Sequence, residues 1–455
     1  MTENKQTNEM ATGNIPKLFF KLAIPAVVAQ LVNLLYNIVD RIYIGHIPEV
    51  GASALTGVGL CSAIMMFVTA FAMLAGAGGA PLASISLGKN DKEHAEKIMT
   101  NSFLLLILFG IILTIVIYIF APTLLTLFGA SEVTLPYAVD YTRIYILGTI
   151  FVLLVTGMNP FVTTQGFAKI AMLTTIIGAI INIILDPIFI FLFDMGVKGA
   201  ALATILSQAV GAIWILRFLT GPKTILKLHR HNMKLDPKVF GPIMALGISP
   251  FIMVSTESLL SISFTTSLSK YGGDIAVGAM TIITSINMLV TMPLQGFTQG
   301  GQPIMSYNYG AGNADRVKKA FFMQFGVCVG YATIFWSLCM LMPNVLASIF
   351  TTDAALAEYA TWAIRIYMAG IFSVGFQLAC QQSFMALGQA AISLIMAFLR
   401  KLILLIPLIF ILPNFFTNKV FGVFVAEPVS DIIAATITTI VFFTQFKKIM
   451  AKAQQ

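Results

Sequence analysis

Charged residues are scarce in this chain of 455 residues, in which Asp, Glu, Lys and Arg together make up 10%. Soluble domains carry about 25% charged residues, so the composition excludes a monomer dissolved in water. Hydrophobic residues make up 58%, and the mean hydropathy is +0.90. Apolar stretches long enough to cross a bilayer recur, for example over residues 102–120 and 170–193. We therefore predict an all-α integral membrane protein, because a barrel requires alternating strands of about ten residues.

The chain has few cysteines and lacks the common enzyme motifs. The four cysteines lie inside apolar segments without Cys-x-x-Cys spacing, which favours core positions over disulfides or a metal site. They are Cys61, Cys328, Cys339 and Cys380. His229 and His231 flank Arg230, a pattern more typical of a solvated loop than of a metal pair. The sequence has no phosphate-loop, His-Glu-x-x-His or Gly-x-Ser-x-Gly motif, so neither an ATP-driven motor nor an enzyme is indicated and no cofactor is expected.

The apolar stretches predict twelve transmembrane helices, six in each half. Their expected starts lie near residues 16, 52, 98, 135, 168 and 197, then 241, 275, 318, 357, 390 and 420. The net charge of +8 is concentrated in alternate loops, which predicts that both termini and the basic linker are cytoplasmic. The domains we expect are a disordered tail (1–14), an N-lobe (15–219), a linker (220–239), a C-lobe (240–446) and a second tail (447–455).

The two halves repeat each other at a constant offset. The phrase from Gly79 to Gly88 returns as residues 301–310, and residues 137–148 return as 359–370, in both cases 222 residues later. A shared offset indicates one duplicated and fused unit. Because six is an even number, the halves should be parallel, related by an axis along the membrane normal, with a cleft between them. Pro25 and Pro250 fall at corresponding places, either as hinges or as static kinks.

Polar residues form a stripe along the first predicted helix. Gln30, Asn33, Asn37 and Asp40 follow one helical face amid apolar neighbours. The stripe directs Asp40 toward protein and the adjacent Arg41 elsewhere, which favours a functional carboxylate over an interfacial ion pair. We predict that the two asparagines assist Asp40 in coupling and that Gln30 lines the substrate cleft.

The fifth predicted helix carries a second carboxylate at a similar depth. Asn182 and Asp186 share a helical face, and a proline follows. Thr204, in the next helix, is placed to complete the cluster, although ordinary interhelical hydrogen bonding would explain it equally well. The alternative for the Asn-Asp-Pro sequence is a cap at a helix break. Two neighbouring carboxylates that repel each other in a buried site can hold a proton or a cation, so we predict that Asp40 and Asp186 meet.

The second half has mainly uncharged polar stripes, which suit the wall of a wet cleft. The residues we assign to this wall are Asn287, Met288, Thr291, Gln295, Gln377 and Gln381. Methionines adapt to varied apolar ligands, although core filling is their commoner role. Arg400 falls in the middle of a predicted helix, where an unpaired charge is costly, so we expect Asp431 or Glu257 to be its partner.

Taken together, these residues resemble the MATE (multidrug and toxic compound extrusion) family, particularly its MepA-type branch. The resemblance covers residues 15–450 and rests on Pro25, residues 35–45, the two glycine-bounded phrases, residues 182–187 and residues 428–431. It implies two six-helix lobes around a V-shaped cleft, with Asp40 and Asp186 as coupling carboxylates beside Asn182 and Thr204. Glu257 resembles a sodium-site acid of another branch, but that branch has an aspartate where this chain has Ile371.

The function we predict is secondary antiport across the plasma membrane. The resemblance implies export of amphipathic, often cationic drugs in exchange for protons or sodium ions, by a monomer in contact with membrane lipids. The alternative within the same superfamily is a flippase for lipid-linked oligosaccharides, which would require a basic cleft for phosphate groups. The cleft candidates are mostly neutral or acidic, and the basic charge is explained by topology, so no nucleic-acid partner is expected.

Overall fold

The computed structural model describes residues 9–229 and 233–453, and this part of the chain is built from helices. Lipid offers no hydrogen-bond partners to the backbone, so each apolar stretch must satisfy its own amide groups within a helix. The spans of the first half are Ile15–Gly45, Gly51–Gly88, Lys92–Leu127, Leu135–Leu147 with Thr149–Thr164, Ala168–Pro187 with Ile188–Leu192, and Gly196–Leu219. We number them span 1 to span 6.

The second half repeats this arrangement as spans 7 to 12. Spans 7 and 8 belong to one long helix, Pro237–Gly310, which Gly273 interrupts with a φ of 65°. Span 9 is Ala314–Leu341, span 10 is Ala354–Ala386, span 11 is Ala390–Phe415, and span 12 begins at Lys419 and its helix ends at Ala453. The described residues therefore contain the twelve predicted spans, and a short helix, Pro343–Phe350, lies between spans 9 and 10.

Side-chain caps set the beginning of several spans. Asn14 Oδ1 accepts a hydrogen bond from the Lys17 amide at the start of span 1. Asp91 caps span 3 in the same way, and Asp236 caps span 7 through the Lys238 amide. Each cap satisfies an amide that has no partner within the helix. Span 7 consequently begins at Pro237, slightly earlier than the sequence predicts.

Two spans change their helical geometry near charged residues. Span 5 widens into a π-helix over Ile188–Leu192, directly after Pro187, which cannot donate a backbone hydrogen bond. Span 11 has a longer π-helical segment, Leu399–Leu405, which contains Arg400. Such segments are rare and occur frequently at functional sites. Span 1, in contrast, continues as one α-helix through Pro25.

The repeated glycine phrases meet where the two lobes contact each other. A Cβ on Gly88 would lie 2.8 Å from the backbone nitrogen of Ala311, and a Cβ on Gly310 would lie 2.9 Å from the Cα of Ile85. The two glycines are themselves 222 residues apart, so the contact is nearly symmetric. Only glycine permits this backbone approach. The two repeated segments that indicate the duplication therefore form the contact between spans 2 and 8.

The linker is fixed to the N-lobe by buried polar side chains. Gln165 Oε1 accepts hydrogen bonds from the Ile225 and Leu226 amides at 2.7 and 2.9 Å. Glu96 Oε1 accepts a hydrogen bond from the Lys227 amide at 3.0 Å, and Asn101 Oδ1 accepts one from the Asp236 backbone amide at 2.9 Å. We call the side of the molecule that carries this linker the linker face.

The segment that precedes span 1 also lies on the linker face. Residues 1–8 are outside the described part of the chain, and residues 9–12, within the stretch predicted as a tail, form a short helix. Met10 is 3% exposed, and its carbonyl accepts hydrogen bonds from Asn308 and Arg316 of the second half. Arg316 also donates to the Gly13 carbonyl at 2.8 Å. The span 12 helix likewise continues into the predicted second tail as far as Ala453.

Candidate functional site

Asp40 and Asp186 face each other inside the N-lobe. Asp40 lies near the end of span 1, and Asp186 is fully buried just before Pro187 in span 5. Their carboxyl groups are near enough to interact side chain to side chain. Oδ1 of Asp40 and Oδ2 of Asp186 are buried and accept no hydrogen bond from the described residues. Arg41 is exposed, so its orientation differs from that of Asp40.

Asn182 and Thr204 complete the cluster that the sequence predicts. Asn182 Nδ2 donates to Asp186 Oδ1 at 3.3 Å and lies 3.5 Å from Thr204 Oγ1. The threonine hydroxyl donates to the Ala200 carbonyl at 3.0 Å, which fixes its rotamer. All three side chains are at least 95% buried, and Oδ1 of Asn182 has no partner among the described residues. The site therefore offers several oxygen acceptors and few donors.

Three tyrosines that sequence reasoning missed surround this cluster. Tyr36 lies one helical turn before Asp40 and interacts with both carboxylates. Tyr141 faces Thr204 and Asp40, and Tyr145 stacks on Tyr141 with ring centroids 6.1 Å apart. Two signals were present in the sequence, since Tyr36 lies four residues before Asp40 and Tyr145 belongs to a repeated phrase.

The remaining polar residues of span 1 lie outside the buried cluster. Asn37 is exposed, and its amide donates back to the Asn33 carbonyl at 2.6 Å. Gln30 and Asn33 are half-buried. Pro25 is buried near the contact where span 8 glycines approach span 1, with Gly296 placed against Val27. A hinge at Pro25 would therefore have to alter this contact with the second half.

The uncharged stripes of the second half divide into two groups. Asn287, Met288 and Thr291 are half-buried and Gln295 is exposed, so these four residues can meet solvent or ligand. The other pair, Gln377 and Gln381, lies in the interior of the C-lobe at 4% and 1% exposure, and does not border a cleft in this structure.

Gln381 instead joins three spans of the C-lobe. Its Nε2 donates to the Ser393 carbonyl of span 11 at 2.7 Å and to Ser249 Oγ of span 7 at 3.2 Å. Helical periodicity identifies the face on which a residue lies but not the element that covers that face. A stripe buried against neighbouring helices and one that borders a cleft therefore look alike in sequence.

Arg400 has the carboxylate partner that its position requires. Its Nε and Nη2 atoms both lie 2.8 Å from Oδ1 of Asp431 in span 12. Glu257 of span 7 is not its partner, because Glu257 pairs with the adjacent Lys401. The prediction of a partner from span 7 or span 12 is correct, and Asp431 fills that role. Ile371, at the position where the other branch has an aspartate, is 4% exposed.

Within the part of the chain that the structure describes, the histidines, cysteines and carboxylates form no cluster of the kind that holds a metal ion. No group of three or more His, Cys, Asp or Glu side chains is arranged to hold one. His229 lies 3.6 Å from Glu96, and His231 is outside the described residues. The four cysteines are free and buried.

Two parallel lobes of six spans each are the architecture of a class of membrane transporters. A family model described as MatE matches residues 25–188 and again residues 250–411, one match in each lobe. The chain therefore belongs to the MatE family, whose members are multidrug efflux transporters.

Individual relatives agree with this assignment. The multidrug export protein MepA of Staphylococcus haemolyticus (strain JCSC1435) is 26% identical over 427 residues, which is 92% of each chain. A crystal structure of MATE in the bent conformation superposes with a TM-score of 0.92 at 22% identity and covers 99% of both chains. A crystal structure of MATE in complex with MaL6 superposes with a TM-score of 0.90 at 23% identity, over 97% of this chain and 98% of that one.

Proposed function

We propose that this protein is a secondary active antiporter that exports amphipathic, often cationic compounds in exchange for protons or sodium ions. The observation that carries the proposal is the pair of Asp40, which is half-buried, and Asp186, which is fully buried, whose carboxyl groups face each other in the N-lobe. Two carboxylates at this depth are costly unless a positive charge is shared between them. Release of that charge when the lobes rearrange would couple ion entry to export.

The oxygen atoms of the site suit either coupling ion. Asp40 Oδ1, Asp186 Oδ2 and Asn182 Oδ1 are buried without a partner among the described residues, so each can accept a hydrogen bond or contact a cation. A proton would join the two carboxyl groups directly. A sodium ion would require further oxygen ligands, for which Thr204 Oγ1 is available.

The charges of the interior support cationic cargo. Arg400 and Lys401 are each paired with a carboxylate, so neither is available to attract an anionic head group. Asp40 and Asp186 add negative potential, while Met288 and the uncharged amides of span 8 supply adaptable contacts. These features favour a drug exporter over a lipid-linked oligosaccharide flippase. We further propose a monomer in the plasma membrane with the linker face, and hence both termini, in the cytoplasm.

Transport by purified protein in liposomes tests the proposal. Efflux of a cationic dye should follow an imposed proton gradient or an imposed sodium gradient, and comparison of the two identifies the ion. Asp40→Asn and Asp186→Asn should each abolish the gradient-driven component. Asp140→Asn is the matched control, because Asp140 is 46% exposed and pairs with Lys198 at the protein surface. A rate of dye efflux that is unchanged by both the proton gradient and the sodium gradient would contradict the antiport mechanism.

A further inference from the structure

Five charged side chains meet inside the C-lobe, away from the acidic pair of the N-lobe. They come from three spans and form what we call the C-lobe charge cluster, whose members are Glu257, Arg400, Lys401, Glu427 and Asp431. The side chains of Lys401, Glu427 and Asp431 are 6%, 9% and 3% exposed, and that of Glu257 is 50% exposed. Charges buried this deeply require close partners.

Each of the two cations in the cluster already has a carboxylate. Lys401 Nζ contacts Glu257 and also donates to the Met253 carbonyl at 2.8 Å. Arg400 directs two nitrogen atoms at one oxygen of Asp431, both at 2.8 Å. The Ser430 hydroxyl donates to the Arg400 carbonyl and holds spans 11 and 12 together. These contacts pair both basic side chains with ionised acids.

Glu427 is the carboxyl group left over. Its Oε1 lies 3.5 Å from Arg400 Nη2, longer than a strong charge-assisted hydrogen bond. Its Oε2 is buried and has no partner among the described residues. If all five groups were ionised, three carboxylates, of which Glu427 and Asp431 are buried, would share two cations. An ionised carboxylate with a bare buried oxygen is strongly disfavoured.

The other elements packed against Glu427 supply no further cation within the described part of the chain. Tyr367 approaches it from span 10 and interacts with both Glu427 and Asp431. Tyr367 lies 222 residues after Tyr145, which stacks on Tyr141, a neighbour of Asp40 in the N-lobe. The duplication therefore places one tyrosine of the same repeated phrase near an acidic cluster in each lobe.

We propose that Glu427 is a proton-carrying carboxyl of this protein, at a site separate from the acidic pair of the N-lobe. Protonation of Oε2 removes one negative charge and leaves Glu257 and Asp431 to balance Lys401 and Arg400. The proton is taken from water and returned to water, and no other group is exchanged. Asp431, which accepts two hydrogen bonds from Arg400, remains ionised.

Two conservative variants separate a proton carrier from a structural anion. Glu427→Gln replaces a protonated carboxyl with an amide of similar size, so its melting temperature in detergent at acidic pH should match that of the wild type. Asp431→Asn removes an ionised partner of Arg400 and should lower the melting temperature at every pH. A carboxyl that is protonated in the folded state stabilises the protein at low pH, and this contribution is lost as the pH rises. Glu427→Gln should therefore gain stability relative to the wild type as the pH rises.

Infrared spectroscopy of the same samples reports the proton directly. The wild type should show a protonated-carboxyl C=O band that is absent in Glu427→Gln and present in the surface control Asp140→Asn. An unchanged spectrum, a destabilised Glu427→Gln at acidic pH, or failure of this variant to fold would each show that Glu427 is an ionised partner of Arg400 and would overturn the proposal. Neither measurement involves transport, so the result is independent of the proposed antiport mechanism.

Discussion

Arg400→Ala should destabilise the C-lobe without acting directly on transport. The arginine side chain is 15% exposed and the Asp431 side chain is 3% exposed, so the pair is almost fully withdrawn from solvent. Removal of one partner from a buried pair leaves the other charge uncompensated, at a cost of about 3–5 kcal/mol. The residual exposure of Arg400 places our expectation near the lower end of that range, about 3 kcal/mol.

A double-mutant cycle tests whether this loss of unfolding free energy comes from the Arg400–Asp431 pair. Thermal unfolding in detergent should rank the variants with Arg400→Ala lowest, and Arg400→Ala combined with Asp431→Asn above it, because the second change removes the stranded charge. Arg365→Ala is the matched control, since Arg365 lies in span 10 and is exposed. A variant Arg400→Ala that melts normally but has lost transport would refute the structural role and make Arg400 a substrate or coupling residue.

Three further predictions address the linker face and the cargo. Gly310→Leu should block gradient-driven export because its side chain would collide with Ile85 of span 2, whereas Gly326→Leu, at a glycine with no neighbour within 4 Å, should transport normally. Export by Gly310→Leu at the wild-type rate would contradict this. Arg316→Ala should release the segment from Met10 to Gly13, so proteolysis of the folded protein near its N-terminus should become faster; an unchanged cleavage rate would show that Arg316 does not hold it. Expression in a pump-deficient host should protect against quaternary ammonium compounds and cationic dyes, whereas protection confined to anions would favour the flippase.

The span boundaries were predictable because the bilayer imposes them. Apolar length alone located all twelve spans, with the largest error at span 3, which begins at Lys92 because Asp91 caps it before the apolar stretch starts. The depth of Asp40 and Asp186 in their helices could also be predicted from the sequence, since both carboxylates fall on polar stripes near the same end of their spans.

Contacts between helices were not predictable from periodicity. Gln381 lies on a polar stripe, yet its neighbours are Ser249 and Ser393 rather than solvent. Glu257 was a reasonable partner for Arg400, but successive residues of a helix point in different directions, so Arg400 and Lys401 reach different carboxylates. The contact between the two glycine phrases also could not be predicted from the sequence, because the repeat shows only that the two segments are related.

The most direct test of the account is transport by Asp40→Asn in liposomes, measured beside binding of the same cationic drug in detergent. An amide retains hydrogen bonding to its neighbours but cannot exchange a proton or carry the negative charge that a sodium ion needs. We predict that the variant folds and binds the drug but shows no export driven by a proton or sodium gradient. Full gradient-driven export by a well-folded Asp40→Asn protein would contradict the assignment of Asp40 as a coupling carboxylate.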